Sequence, residues 1–262
     1  MGFIDIHNHL AWEIDDGMPC RDDALKALKM ANEDGIEAII ATPHLLPPDT
    51  TEENFRCINS RIMELKELAE ETGIDVYSGC EFLLNDASLE WFDKGIYNRL
   101  GNSDYLLCEF NPRVDISNAP YADDILYELT IRGVTPVVAH VERYFHNSLD
   151  LDQVQRWIDM GCYIQVNRTS LIADRAHYAK KNAEKLLQAG MCHIVATDAH
   201  RAEGRRICRI SDGYEVIEQV AGKENARLLT QENPMRILNN DNLEHMHEVK
   251  RKGFFSRLRG KR

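Results

Sequence analysis

Seven short apolar, β-branched runs recur along this chain with helical patterns between them, an alternation that a polypeptide satisfies by winding βα units around a parallel sheet. The runs cover residues 3–7, 37–42, 75–81, 105–110, 135–140, 162–167 and 193–198. Several are apolar almost throughout, as in Ala38-Ile39-Ile40-Ala41 and Val137-Val138-Ala139. Strands covered on both faces read this way, whereas one-sided antiparallel strands alternate. Residues 22–34, 52–72, 87–98, 121–132, 151–160 and 176–189 place apolar positions at helical spacing. Gly35, Gly73, Gly133, Gly161 and Gly190 each follow such a helix just before the next run, where a left-handed residue ends a helix. After Asp198 the pattern turns helical over 213–220, 223–229 and 233–239, so helices are expected to close the barrel there.

At 262 residues and 44% apolar composition, the chain can bury a full core as one domain, expected over 1–249. No run of eighteen apolar residues occurs, and Phe3-Ile4-Asp5-Ile6-His7 has no export-signal character, so a cytoplasmic protein is expected. Seven cysteines without a C-x-x-C pair read as reduced, mostly buried thiols. A formal charge of −12 disfavours a nucleic-acid partner. The exception is 250–262, with seven basic residues, no acid, and Phe254, Phe255 and Leu258 among them. That segment reads as a flexible solubilising end or, more sharply, as a weak contact with anionic membrane lipid.

In a parallel barrel the C-terminal ends of the strands converge on one mouth, so residues distant in sequence meet there. Strand one ends in His7-Asn8-His9, the second run leads to His44, and the third ends at Glu81. The fourth reaches Glu109, the fifth ends at His140, and the seventh leads into Asp198-Ala199-His200. Any one of these alone is more often a loop hydrogen bonder than a ligand. Glu81 and Glu109 follow apolar runs, however, where a lone carboxylate is costly to bury, and cations at the mouth satisfy that need. Nitrogen and oxygen donors without cysteine suit manganese, iron or zinc, in a cluster of two or three ions.

With these residues the chain resembles the polymerase and histidinol phosphatase superfamily. The similarity is strongest to the bacterial metal-dependent protein-tyrosine phosphatases encoded with capsule and exopolysaccharide genes. It is carried by DIHNHLAWEIDDG (5–17), IIATPH (39–44), the glutamates of GCEF and LCEF, AHVERY (139–144) and ATDAH (196–200). The resemblance implies an α/β fold, a distorted seven-stranded TIM-like barrel with a trinuclear site. It implies that His7, His9, Asp16, His44, Glu81, Glu109, His140, Asp198 and His200 bind the metal ions, manganese foremost, with Glu81 bridging. By the same carry-over Arg143 and Arg205 hold the substrate phosphate and Asp15 stands behind the ligands. The implied reaction is hydrolysis of phosphotyrosine by a metal-activated hydroxide. The implied partner is a membrane-associated bacterial tyrosine kinase; an oligomer is compatible with it. Leu45 and Val141 depart from the family pattern, which expects a second histidine and a proline there.

A small-molecule phosphatase, acting for instance on histidinol phosphate, uses a similar ligand set. An amidohydrolase is less compatible, because Glu109 stands where that class usually has a lysine. A catalytically silent kinase-docking adaptor would have no evident use for so costly a cluster of charges. Cysteine-based phosphatases use a C-x5-R loop, and Cys162 to Arg168 has that spacing. The intervening Tyr163-Ile164-Gln165-Val166-Asn167 reads instead as a strand and lacks the glycines of a phosphate cradle.

Overall fold

A computed structural model describes residues 2–249; the basic segment 250–262, with its expected membrane contact, lies outside them. The chain alternates strands and helices in the expected order. The strands are β1 (Phe3–Asn8), β2 (Ile36–Ala41), β3 (His44–Leu45), β4 (Asp75–Ser78), β5 (Glu81–Leu83), β6 (Tyr105–Glu109), β7 (Thr135–Val138), β8 (Tyr163–Asn167) and β9 (Ile194–Ala196). All their pairings are parallel, in the orders β1-β2-β4 and β3-β5-β6-β7-β8-β9. An isolated parallel bridge between Asn8 and Ala199, with His9 N donating to Ala199 O at 2.8 Å, brings the first strand beside the segment after the last. The fold is a curled, all-parallel α/β sheet of TIM-like character.

The seven predicted runs appear as nine short strands because the second and third each break in two. Pro43, which has no amide proton to give a ladder, separates β2 from β3. Gly79 and Cys80 separate β4 from β5, and a Cβ on Gly79 would stand 2.9 Å from Ile40 Cγ2 and 3.0 Å from Thr42 Cγ2. Only glycine permits that approach. The break has a consequence for the site: the strand resumes at Glu81, whose amide donates to Pro43 O at 3.0 Å and whose register partner is His44.

The helices are α1 (Arg21–Glu33), α2 (Glu52–Ala69), α3 (Ser88–Asp93), α4 (Ala122–Ile131), α5 (Leu151–Asp159), α6 (Arg168–Leu171), α7 (Tyr178–Ala189), α8 (Ser211–Ala221), α9 (Lys223–Arg227) and α10 (Asn233–Leu238). The predicted helix over 87–98 is only α3, since Gly95 turns with φ 71°. The five glycines expected to end helices all have positive φ, between 71° and 93°. Ile4, Ile6, Ile40, Leu107, Val137 and Ile194 fill the space enclosed by the strands, and two larger apolar clusters lie between sheet and helices. All seven cysteines are free, five of them buried. No described helix is long and apolar enough to cross a membrane.

Candidate active site

The nine expected metal ligands meet in one place. His7 and His9 project from the end of β1, while Asn8 between them turns to the neighbouring strand and donates to Ile40 O at 3.1 Å. Alternation along an extended strand thus places two imidazoles on one face. Glu81 stands at the centre. Its Oε1 lies 3.1 Å from His7 Nε2 and 2.8 Å from His140 Nε2, and its Oε2 lies 3.1 Å from both His9 Nε2 and His44 Nδ1. Glu109 reaches the same His44 Nδ1 at 2.9 Å. On the other side Asp198 Oδ1 is 3.5 Å from His7 Nε2, 3.6 Å from His9 Nε2 and 3.3 Å from His200 Nδ1. Asp16, the most exposed of the nine, spans His44 at 3.4 Å and His200 at 3.2 Å.

His140 and Asp198 adopt left-handed backbone, φ 32° and 52°. For residues with a Cβ this conformation costs about 1–2 kcal/mol, and it turns each chain sharply at its strand end. Such outliers persist where surrounding structure fixes them, as hydrogen bonds do here. His140 N donates to Gln165 Oε1 at 2.8 Å, and Asp198 N to His7 O at 2.8 Å.

The residues behind the cluster aim it. Asp15 Oδ2 holds His9 Nδ1 at 2.7 Å, leaving Nε2 for the centre. Gln165 Oε1 stands 3.2 Å from His7 Nδ1, and Asn167 Nδ2 donates to Asp198 Oδ2 at 2.7 Å. Gln165 and Asn167 lie on β8, which corresponds to the one predicted run to which the sequence assigns no ligand. Arg201 clamps the Asp16 loop, donating to Asp16 O at 2.6 Å and Gly17 O at 2.8 Å.

The electrostatics favour cations. Burial opposes ionisation of Glu81, yet His7 and His44 hold its carboxyl well below the usual range. His44, despite its own burial, is pushed up to about 12 by Glu81, Asp16 and Glu109. Burial, reinforced by the charge on Glu81, raises Glu109. His140 moves the other way, to about 4, under burial and the nearby Arg143 guanidinium. Four carboxylates and five imidazoles packed this tightly suit metal ions by donor chemistry. Ligand atoms of four overlapping sets lie within 4.8 Å of one another: His9, Asp16, His44, His200; His7, His9, Asp198; His7, Glu81, His140; and His44, Glu81, Glu109. His44 Nδ1 is buried with two carboxylates at hand but makes no hydrogen bond of normal geometry. That nitrogen is left available to a metal ion.

Above the cluster opens a cleft of about 400 Å³, its walls formed by the outer ligands with Leu46, Leu83, Pro112, Arg113, Arg143 and Arg206. Arg143 Nη1 lies 3.4 Å from Asp198 Oδ2. Arg206 Nη2 lies 2.8 Å from Asp198 Oδ1 and 3.0 Å from His200 Nε2. Arg205 lines an adjoining pocket instead, together with Arg143 and Arg206. Sequence reasoning passed over Arg206 because the 200–206 loop doubles back on itself: His200 N and Arg201 N both donate to Arg206 O, at 2.9 and 3.0 Å. Gly204, at φ 88°, makes that return possible and is the one local signal for it. Cys162 is buried on the outer side of the sheet among apolar residues, with its thiol pushed up to about 12 by burial.

The family model for capsular polysaccharide synthesis, CpsB/CapC, matches residues 3–239. The tyrosine-protein phosphatase CpsB of Streptococcus pneumoniae is 28% identical over 248 residues, 90% of this chain and 98% of that protein. The tyrosine-protein phosphatase YwqE of Bacillus subtilis is 28% identical over 261 residues, 96% of this chain and 98% of its own. A crystal structure from work on YwqE of Bacillus subtilis and CpsB of Streptococcus pneumoniae, described as unique metal-dependent tyrosine phosphatases, superposes with TM-score 0.77 at 26% identity, covering 94% of this chain and 98% of that one. With the family model spanning every described strand and helix, the chain belongs to the CpsB/CapC family of capsular polysaccharide synthesis.

Proposed function

We propose that this protein is a metal-dependent protein-tyrosine phosphatase. The observation that carries the reading is the convergence of eight further nitrogen- and oxygen-bearing side chains around the buried Glu81, beneath an open cleft lined by Arg113, Arg143 and Arg206. His7, His9, Asp16, His44, Glu81, Glu109, His140, Asp198 and His200 would hold two or three ions, with manganese foremost and Glu81 shared between them. When bound, such ions supply an activated water and neutralise charge gathering on phosphorus. The nine strands act in this reading as a distorted seven-stranded barrel, the second and third strands each broken where the site needs His44 and Glu81.

The remaining work falls to side chains of the cleft. Arg143 and Arg206 present planar forks whose paired N–H groups match phosphate oxygens, which is chiefly electrostatic stabilisation of an in-line displacement. Arg205, given that work by the resemblance, stands on the far side of the same arginine group. Leu46, Leu83 and Pro112 offer an apolar wall for the phenyl ring of the substrate. A phenolate with an ordinary pKa near ~10 leaves more readily than an alkoxide, which lessens the need for a proton donor. Asp15 and Gln165 keep His9 and His7 turned with Nε2 inward throughout.

The substrate, by kinship with the tyrosine phosphatases above, is a phosphotyrosine protein, a membrane-associated kinase of polysaccharide synthesis foremost, reached in the cytoplasm. The basic segment 250–262 would add a weak contact with anionic lipid. Vesicle sedimentation comparing the full chain with residues 1–249 tests that addition, and equal binding removes it. The main reading is tested by hydrolysis of a phosphotyrosine peptide against histidinol phosphate, with and without chelator. Chelator-sensitive preference for the peptide is expected; preference for histidinol phosphate overturns it.

A further inference from the structure

A pocket of about 460 Å³ opens from the metal cleft beyond His44, sharing Asp16, His44 and Leu46 with it. Arg143 and Arg206 line the cleft but not this pocket, and no lysine or arginine takes their place in its lining. Ile14, Leu46 and Ile58 give it an apolar surface, with Leu46 37% exposed. Most of its carboxylates are engaged already. Asp15 holds His9 and two amides, Asp16 faces His44 and His200, and Glu13 pairs with Arg61 at 3.3 Å. Asp49 is different: it is exposed, and its carboxylate has no ion-pair or hydrogen-bond partner among the described residues. The walls are fixed before any ligand arrives. Leu46 N donates to Thr50 Oγ1 and Thr50 N to Leu46 O, both at 2.9 Å, which closes the turn that carries Asp49. Arg61 donates to Trp12 O at 2.8 Å and stacks 4.7 Å from the centre of the Trp12 ring, which holds the stretch leading to Glu13 and Ile14.

We infer that this pocket is a specificity subsite for a lysine or arginine side chain carried by the substrate peptide close to the phosphotyrosine. The inference rests on the phosphatase reading and adds a preference that the metal ligands do not set. A basic side chain is an apolar stem with a charged head, and the pocket offers a surface to each. The stem covers Ile14, Leu46 and Ile58, while the head reaches Asp49, where both charges stay in contact with water and little desolvation is incurred. A purely apolar side chain gains only the first of these contacts. An acidic one meets like charge from Asp49 and Glu13, so the pocket also selects against it. The peptide is thereby given a polarity across the mouth, with its phosphate among the cleft arginines and its basic residue beyond His44 and Leu46.

The test uses the full chain loaded with manganese and phosphotyrosine peptides of equal length. Alanine, lysine, norleucine or glutamate is placed in turn at each of the two positions on either side of the phosphotyrosine. At one position lysine should lower KM about fivefold relative to alanine at similar kcat, the scale of one exposed ion pair. Norleucine, which keeps the stem and drops the charge, should fall between them. Asp49→Asn should reduce the lysine advantage to that of norleucine, and Asp49→Lys should turn the preference toward glutamate. Ratios are taken within each protein, so any general change in activity cancels. Dissociation constants of the same peptides, with phosphotyrosine replaced by its non-hydrolysable phosphonate, should follow the same order without turnover. Equal constants at every position overturn the subsite. A lysine advantage that survives both Asp49 variants also overturns it, tracing the effect to the overall charge of −12 instead. Failure to hydrolyse any of the peptides overturns the phosphatase reading, while the dissociation constants still decide the subsite.

Discussion

The Asp15 carboxylate meets His9 Nδ1 at 2.7 Å and also accepts the Gly17 and His44 amides, at 2.8 and 3.0 Å. One side chain therefore sets the orientation of one ligand and the backbone position of another. Asp15→Ala should weaken metal binding by about 10–100-fold, the usual scale for residues that orient a ligand. The fold should persist. Metal titration of the purified variant checks this, and unchanged affinity would show that the His9 ring is held by packing alone.

The two adjacent arginines should separate kinetically. Arg206→Ala removes a fork from the cleft wall and should lower kcat by about 100-fold, as loss of a donor to developing charge does. Arg205→Ala, which removes a guanidinium from the adjoining pocket, should act more on KM than on kcat. Steady-state kinetics on paired substrates distinguish them; an identical kcat loss in both would place Arg205 on the scissile phosphate as well.

Cys162→Ser should leave turnover within about twofold, because a thiol held at about 12 by burial is not a thiolate at neutral pH. Trapping experiments with iodoacetamide should likewise spare activity as far as this residue is concerned. A large loss on substitution would revive a cysteine mechanism.

His193 lies at the start of β9, away from the metal ligands. Its Nδ1 accepts the Ile164 amide at 3.1 Å, and Nε2 stands 3.0 Å from His245 Nδ1. Burial, with His245 nearby, lowers its pKa to about 3. The folded state thus refuses a proton that the unfolded chain accepts near pH ~6.5. Stability from this group is complete above that pH and is lost as pH falls through the window toward 3. Between pH 7.5 and 5 the wild type should lose about 2 kcal/mol more than His193→Asn, whose amide oxygen can replace the Nδ1 acceptor. Urea unfolding at the two pH values measures the difference. Parallel losses would mean that His193 takes up its proton while folded.

The strand ends were legible because burial on both faces leaves an apolar signature, and because a carboxylate directly after such a run, like Glu81 or Glu109, contradicts it. The breaks at Pro43 and Gly79 were not read as breaks, since each piece stays apolar and only the close approach of Ile40 and Thr42 to Gly79 shows why a glycine stands there. Gln165 and Asn167 were hidden for a related reason: neutral amides inside a strand carry no charge to flag them, and their value lies in partners on β1, after β7 and after β9. Arg206 was missed because sequence offset from His200 does not report a loop that folds back. The nine expected ligands converge despite these errors, since convergence depends on which strand end a residue follows rather than on the details of the sheet.

In the proposed reaction Glu81 gathers the metal ions on which hydrolysis depends. Elemental analysis and phosphotyrosine-peptide turnover, measured side by side on wild type and Glu81→Gln, test it most directly. The wild type should carry two or three ions per chain, and the variant should lose most of them together with more than about 100-fold of its activity. Full turnover by Glu81→Gln, or by wild type stripped of metal, would contradict the account.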